Sequence, residues 1–187
     1  SLEGHRPVRE NTEETTAKGD GWTLYRGDST ELLRHIPENS VGLSVFSPPF
    51  LSLYVYSDDP RDLGNSTSED DFRARFVPIM EQVRRVLMPG RLACVHVSQV
   101  ATKLSRDGVI GLCDFRGLVI RASQDAGLVY HGDITVDKNP QAQAVRTHAK
   151  GLLFAQLRKD AAWLRPGLAD YVLVFRKPGD NAAPIHP

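Results

Sequence analysis

The chain has 187 residues, of which 41% are hydrophobic and 25% are charged, so it is long enough for one domain with its own core. Its formal net charge of zero excludes a protein that coats nucleic acid through bulk charge. No apolar run approaches a membrane span in length and no secretory segment is evident, so we expect a cytoplasmic protein with no membrane partner. Cys94 and Cys113 lie in apolar runs and are predicted to be buried thiols, and the six histidines show no metal-ligand spacing.

The first predicted elements follow a polar segment, residues 1–20, which we expect to be a flexible tail. A short strand at 22–25 leads to Gly27-Asp28, and Ser29 is a candidate cap for a short helix. The next strand, residues 41–46, must stop at Ser47 because the two prolines after it have no N–H for a sheet. Residues 51–67 then form a long loop, and a connection of this length in a compact domain is usually functional or mobile.

Ser68 and Asp71 are predicted to cap a long helix that carries apolar residues at helical spacing and ends at Pro89-Gly90. Four further elements are predicted: a strand at 91–97, buried on both faces, a helix at 111–125, and strands at 128–136 and 170–175 that are candidates for an antiparallel pair. This alternation predicts an α/β class with a largely parallel sheet. Residues 21–177 form the predicted domain, and 178–187 the start of a linker or tail.

Ser47-Pro48-Pro49-Phe50 is the strongest candidate site, because ligands of open α/β sheets bind at the carboxyl ends of strands. A base amino group is a poor nucleophile and must be held by acceptors aimed at its hydrogens. The Ser47 oxygen and the Pro48 carbonyl can supply two acceptors. Phe50 can stack on a base taken out of the duplex, which contributes about 1–3 kcal/mol. The alternative interpretation is a plain Pro-Pro turn that ends a buried strand.

At this point the sequence resembles a known family. The Ser47–Phe50 segment is similar to the catalytic motif of DNA amino-methyltransferases, which transfer a methyl group from S-adenosylmethionine to adenine N6 or cytosine N4. Weaker similarities lie around Gly27-Asp28, at 87–97 and at 138–175, in the order of the class whose catalytic motif precedes its cofactor motif. The resemblance covers roughly residues 22–177.

The resemblance implies a Rossmann-like, S-adenosylmethionine-dependent methyltransferase sheet with helices on both faces. It implies that Asp28 contacts the adenosine of the cofactor, whereas the residues alone equally favour Asp28 as a helix cap. The family's aromatic-x-Gly-x-Gly cofactor turn is absent from the sequence. We therefore expect the sheet to be incomplete, with the cofactor motif encoded after Pro187.

A basic segment, residues 138–177, suggests the DNA contacts, with Lys138, Arg146 and Lys150 as candidates for binding phosphates. A solvated helix face is an equal alternative for this segment. Tyr54 and Tyr56 are candidates for a base pocket, with packing of the loop favoured over that role. His96 lies in a predicted core strand, which favours a satisfied buried histidine over a catalytic one.

Double-stranded DNA is the implied partner, and a homodimer is compatible with the resemblance. The sequence does not separate adenine from cytosine as the methylated base. Three alternatives differ in function: a methyltransferase acting on RNA or a protein amide, a catalytically silent nucleic-acid-binding remnant, and a plain α/β scaffold.

Overall fold

The computed structural model describes residues 15–51, 56–102, 107–109, 111–139, 142 and 169–184. Its helices are α1 (Ser29–Leu33), α2 (Glu69–Val86) and α3 (Phe115–Asp125), with a 3₁₀ turn at Leu63–Asn65. Its strands are β1 (Thr15–Gly19), β2 (Trp22–Arg26), β3 (Val41–Phe46), β4 (Leu87–Ser98), β5 (Val100–Ala101), β6 (Leu112–Cys113), β7 (Val129–Val136) and β8 (Asp170–Arg176).

The main sheet has four strands in the order β3-β4-β8-β7. Strand β3 pairs parallel with β4, whereas β8 runs antiparallel to both of its neighbours, β4 and β7. Three of the four strands therefore point the same way, and the predicted antiparallel pair of the last two strands is confirmed. The carboxyl ends of β3, β4 and β7 and the amino end of β8 consequently meet at one edge of the sheet.

Helix α2 forms where the capping pattern predicts it. The Ser68 side chain accepts a hydrogen bond from the Asp71 N–H at 3.1 Å, satisfying one of the free donors of the first turn. Phe72, Phe76 and Met80 recur every four residues and are almost fully buried, as expected for a helix with one face toward the core. The helix continues through Pro78 and ends at Val86.

The core lies between the helices and one face of the sheet. Alternate residues of β4, namely Ala93, Val95 and Val97, are fully buried, and so are Leu173 and Phe175 on β8. Helices α2 and α3 pack against each other and against β4, and α1 packs against α2. Strand β4 is thus buried on one face, not on both as predicted.

The opposite face of the sheet is open in the part of the chain described here. Leu43, Val45 and Ile134 point to this face and are 57%, 69% and 60% exposed. The predicted α/β class is confirmed, and the three described helices all belong to the layer that covers the other face.

Three local predictions are corrected by the structure. The segment predicted as a tail contains β1, which pairs with β2 in a hairpin, so a strand precedes the one predicted at Trp22. Asp28, not Ser29, caps α1. Pro89-Gly90 does not end α2, because β4 has already begun at Leu87. Gly90 has a φ of 74°, and a Cβ there would lie 2.8 Å from the Asn181 nitrogen, so this bend requires glycine.

No described helix combines the length and the apolar composition needed to cross a membrane.

Candidate functional site

The Ser47–Phe50 segment leaves the sheet at the edge where the carboxyl ends of β3 and β4 meet. Ser47 directly follows the last residue of β3 and is exposed, whereas Pro48 is buried. Side chains alternate along a strand, so Ser47 continues the row of Leu43 and Val45 on the open face of the sheet. The predicted catalytic hydroxyl is therefore accessible, and the residue after it anchors the turn.

Phe50 is half-buried and packed rather than free. Its ring lies 5.4 Å from the ring of Phe115, at the start of α3, and 6.3 Å from the ring of His96. These contacts fix the orientation of the ring beside Ser47. A base could stack only on the part of the ring that remains exposed.

Ser47 contacts a histidine that the sequence alone placed in the core. The Ser47 hydroxyl donates a hydrogen bond to the His96 carbonyl at 3.0 Å, and its oxygen lies 3.4 Å from His96 Nδ1. The His96 side chain is 41% exposed. The prediction that His96 is a buried core residue is therefore wrong, because the β4 residues on its side of the sheet face the open side.

Asp170, the first residue of β8, holds the other side of the imidazole. Its Oδ2 lies 3.2 Å from His96 Nε2, and its Oδ1 pairs with Lys138 Nζ. Burial acts to raise the pKa of Asp170, but hydrogen bonds from Lys138, Ser98 and His96 outweigh it and lower that pKa. Asp170 is thus an ionised carboxylate between two potential cations, and sequence reasoning missed it because only the β4–β8 register brings it to His96.

The predicted cofactor residue, Asp28, is a helix cap. Its Oδ1 accepts a hydrogen bond from the Thr30 N–H at 2.8 Å, and its Oδ2 lies 3.7 Å from Arg61 Nη1. The capping interpretation is confirmed, and Oδ2 is the carboxylate oxygen not used by the cap.

The predicted DNA contacts divide between described and undescribed parts of the chain. Lys138 follows β7 and pairs with Asp170, whereas Arg146 and Lys150 lie outside the described residues. Tyr54 also lies outside them, and Tyr56 is 64% exposed.

Neither a metal-ligand cluster nor a disulfide is found among the residues that the structure describes around this site. Cys94 and Cys113 are free, half-buried thiols, and burial raises the pKa of both. Among the described residues, no cluster of histidine, cysteine and acidic side chains could hold a metal ion.

The fold and the sequence were compared with known proteins. TTHA0409 of Thermus thermophilus, assigned as a DNA modification methylase and solved in complex with S-adenosyl-L-methionine, matches with a TM-score of 0.58 and 23% identity, over 85% of this chain and 54% of that one. The cytosine-N4-specific PvuII DNA methyltransferase matches with a TM-score of 0.54 and 20% identity, over 81% and 47%. The chain therefore has the Rossmann-like fold of the S-adenosylmethionine-dependent methyltransferases.

The sequence comparison is more specific than the fold. The Type II methyltransferase M.SfiI of Streptomyces fimbriatus is 36% identical over 82 residues, which are 44% of this chain and 19% of that relative. No family model matches the chain. The resemblance to the DNA amino-methyltransferases is confirmed, and it extends over less than a third of the length of the curated relative.

Proposed function

We propose that the protein is a DNA methyltransferase that modifies the exocyclic amino group of a flipped-out adenine or cytosine, with S-adenosylmethionine as methyl donor. The observation that carries the proposal is the state of the Ser47 hydroxyl. Its proton is donated to the His96 carbonyl at 3.0 Å, so the oxygen's lone pairs are left to accept a hydrogen bond from an amine. The Pro48 carbonyl is the second proposed acceptor, and Pro49 contributes no competing N–H.

The chemistry requires orientation more than a strong base. Bound S-adenosylmethionine supplies an electrophilic methyl group. The amine nitrogen would take this methyl group as the carbon–sulfur bond of the donor breaks, with the electron pair kept by sulfur, and would lose a proton to water. Ser47 and Pro48 would aim the nitrogen, and Phe50, fixed by Phe115 at 5.4 Å, would hold the ring of the base.

Asp28 is the proposed contact to the cofactor. Asp28 uses Oδ1 to cap α1, which leaves Oδ2, beside Arg61, as the proposed acceptor for the adenosine. Lys138, Arg146 and Lys150 are the proposed phosphate contacts. Lys138 already forms an ion pair with Asp170, which would compete with a phosphate. We therefore expect Arg146 and Lys150 to contribute more to DNA affinity.

The direct test, like every activity measurement below, uses the complete gene product and not the 187-residue chain by itself. It combines that protein with tritiated S-adenosylmethionine and unmethylated plasmid DNA, followed by mass spectrometry of the nucleosides. N6-methyladenine or N4-methylcytosine in the product identifies the base. RNA and denatured protein serve as parallel substrates. Transfer to either of these and not to DNA would contradict the proposal in favour of the RNA or protein-amide alternative.

A second candidate is a silent nucleic-acid-binding remnant, favoured by the absence of an aromatic-x-Gly-x-Gly turn in the 187 residues. Gly19-Asp20-Gly21 has the glycine spacing, but it joins the antiparallel strands β1 and β2 and not a strand to a helix. We expect the 187-residue chain to bind S-adenosylmethionine weakly or not at all, which a calorimetric titration measures. Binding at micromolar concentration would show that the pocket is already complete.

A further inference from the structure

A row of four polar side chains crosses the open face of the sheet at the edge that carries the candidate site. Its members, which we call the edge row, come one from each strand in spatial order: Ser47 after β3, His96 on β4, Asp170 on β8 and Lys138 after β7. The register pairs Ser98 with Asp170 and Val136 with Asp170. Because side chains alternate with a period of two, His96, Asp170 and Lys138 share one face of the sheet with Ser47.

The edge row determines which nitrogen of His96 carries the proton when the ring is neutral. The Asp170 carboxylate, whose pKa is lowered, faces Nε2 at 3.2 Å. An ionised carboxylate accepts hydrogen bonds only, so Nε2 must be the protonated nitrogen. Nδ1 is then a bare acceptor 3.4 Å from the Ser47 oxygen.

Two acceptors on β4 therefore face the Ser47 hydroxyl, namely the His96 carbonyl and Nδ1. The hydroxyl proton is directed toward β4 whichever acceptor it uses, and the lone pairs of the oxygen face away. A second proton on His96 would change this arrangement, because the Ser47 hydroxyl can keep its bond to the His96 carbonyl while one lone pair of its oxygen becomes occupied. Nδ1–H would donate to the Ser47 oxygen, and a positive charge would stand beside an amine that becomes positive as it is methylated.

We propose that His96 is a positioning residue that acts through Ser47. The neutral ring, held by Asp170, keeps the Ser47 oxygen available as an acceptor for the amine, whereas the protonated ring competes for that oxygen and places a positive charge beside the amine. This inference rests on the proposed methyl transfer for its kinetic consequence, but the tautomer of His96 is a property of the protein alone.

The charged groups around His96 predict whether a substitution makes its protonation harder or easier. Within the part of the chain that the structure describes, Asp170 contacts the imidazole directly and Lys138 acts through Asp170. The ring also neighbours Ser47 and the Phe50 ring, which carry no charge. Removing the carboxylate should make protonation of His96 harder, and removing the lysine should make it easier.

Ser47, His96 and Asp170 are also arranged as hydroxyl, imidazole and carboxylate, like the catalytic triad of a hydrolase. The site lacks a feature that acyl transfer needs. In such enzymes, backbone N–H groups next to the nucleophile stabilise the oxyanion. The two residues that follow Ser47 are prolines, which have no N–H. The edge row is therefore better suited to presenting an acceptor than to activating a nucleophile.

The kinetic experiment uses the complete gene product and measures the single-turnover rate of methyl transfer to unmethylated plasmid DNA as a function of pH, with DNA and S-adenosylmethionine saturating. We expect the parent rate to fall as the pH is lowered and His96 takes up its second proton. His96→Gln should lower the plateau about tenfold, since it loosens an orienting contact, and should remove that acidic fall. Asp170→Asn should move the fall to lower pH and Lys138→Met to higher pH. His131→Gln, which changes an exposed histidine of β7, should leave the profile unchanged.

A second readout on the same protein needs no turnover. Long-range ¹H–¹⁵N NMR of the imidazole nitrogens should show His96 as the Nε2–H tautomer at neutral pH, with its titration moved down by Asp170→Asn. A parent protein that methylates DNA but shows Nδ1–H at His96, or an acidic fall that persists in His96→Gln, would overturn the inference. Absence of methyl transfer at every pH would overturn the proposed function, while the NMR result would still decide the tautomer.

Discussion

The two ends of the main sheet each carry a lysine-containing polar cluster, and the two clusters differ in access to solvent. At the amino ends of β3 and β4, Lys177 is buried and donates to Asn39 Oδ1 at 2.7 Å, to the Leu87 carbonyl at 2.8 Å and to the Arg85 carbonyl at 3.2 Å. At the carboxyl ends, Ser47 and a large part of His96 are exposed.

The difference separates a structural cluster from a functional one. The three donors of a lysine ammonium match the three oxygens around Lys177, so that cluster is closed. Burial lowers the pKa of Lys177, because it disfavours the charged ammonium. The hydrogen bonds of this ammonium join three chain segments. The edge row at the other end has an acceptor, the Ser47 oxygen, that no described residue uses, and an open end of this kind suits a ligand.

The largest expected effect is on activity at the open end. Ser47→Ala should reduce the rate of methyl transfer by about 10²–10³-fold, since it removes a positioned polar group, and should leave the melting temperature close to that of the parent because Ser47 is exposed. Radiolabel transfer and thermal unfolding measure the two quantities.

Ser40→Ala is the matched control, because Ser40 is an exposed serine at the opposite end of β3 whose hydroxyl only contacts the Pro37 carbonyl at 2.7 Å. An alanine variant of Ser47 that retains the parental rate would show that the hydroxyl does not hold the amine.

At the closed end, around Lys177, we expect a substitution to lower stability and not the rate of methyl transfer. Lys177→Met should lower the free energy of unfolding by about 2 kcal/mol, because it leaves the buried Leu87 carbonyl without its donor and removes the bond to Asn39. Urea unfolding measures the loss, and Lys18→Met, at an exposed position of β1, is the control. If the folded variant lost methyl transfer without losing stability, the division between the two ends would be wrong.

Acid should remove the stabilisation that two carboxylates give the folded state, namely Asp170 at the open end and Asp133 at its contact with Arg116 of α3. Hydrogen bonds lower the pKa of Asp170, against the effect of burial, and a hydrogen bond from Arg116 lowers the pKa of Asp133. Groups with a lowered pKa in the folded state stabilise it at neutral pH, and this stabilisation is lost as the pH falls below about 4.

Asp170→Asn should therefore narrow the difference between the free energies of unfolding at pH 7 and pH 3, as chemical denaturation at the two values would measure. Asp58→Asn, at an exposed loop position, should leave this difference as it is in the parent. If the free energies of unfolding at pH 7 and pH 3 differ by as much in Asp170→Asn as in the parent, the partners of the Asp170 carboxylate do not stabilise the folded state.

The smallest effect concerns the thiols, which belong to neither cluster. Burial raises the pKa of Cys113 to about 11, with a further contribution from its hydrogen bond to Glu69, and burial raises the pKa of Cys94. Thiolates are the reactive form, so iodoacetamide at pH 8 should alkylate both cysteines slowly in the folded protein and readily in urea. Mass spectrometry of the labelled peptides would measure this labelling. Rapid labelling of Cys94 in the folded protein would mean that the solvent-accessible part of β4 extends from its carboxyl end past Val95.

Much of the secondary structure could be predicted because its causes are local. Two adjacent prolines end β3, Ser68 caps α2, and Gly127, with a φ of 84°, ends the turn after α3; each of these signals lies within a few residues of the feature it determines. The errors have a different origin. β1 was missed because a two-stranded hairpin carries no hydrophobic period that separates it from a polar tail.

The sequence by itself determined the class of the fold and the place of Ser47, because a strand that runs into Ser-Pro-Pro must end there and leave the hydroxyl at the sheet edge. Only the tertiary structure decided the surroundings of Ser47. His96 is 49 residues from Ser47, and Asp170 pairs with Ser98 across the β4–β8 register. Strand order and register are set by the packing of the whole sheet against α2 and α3, and no local pattern encodes them.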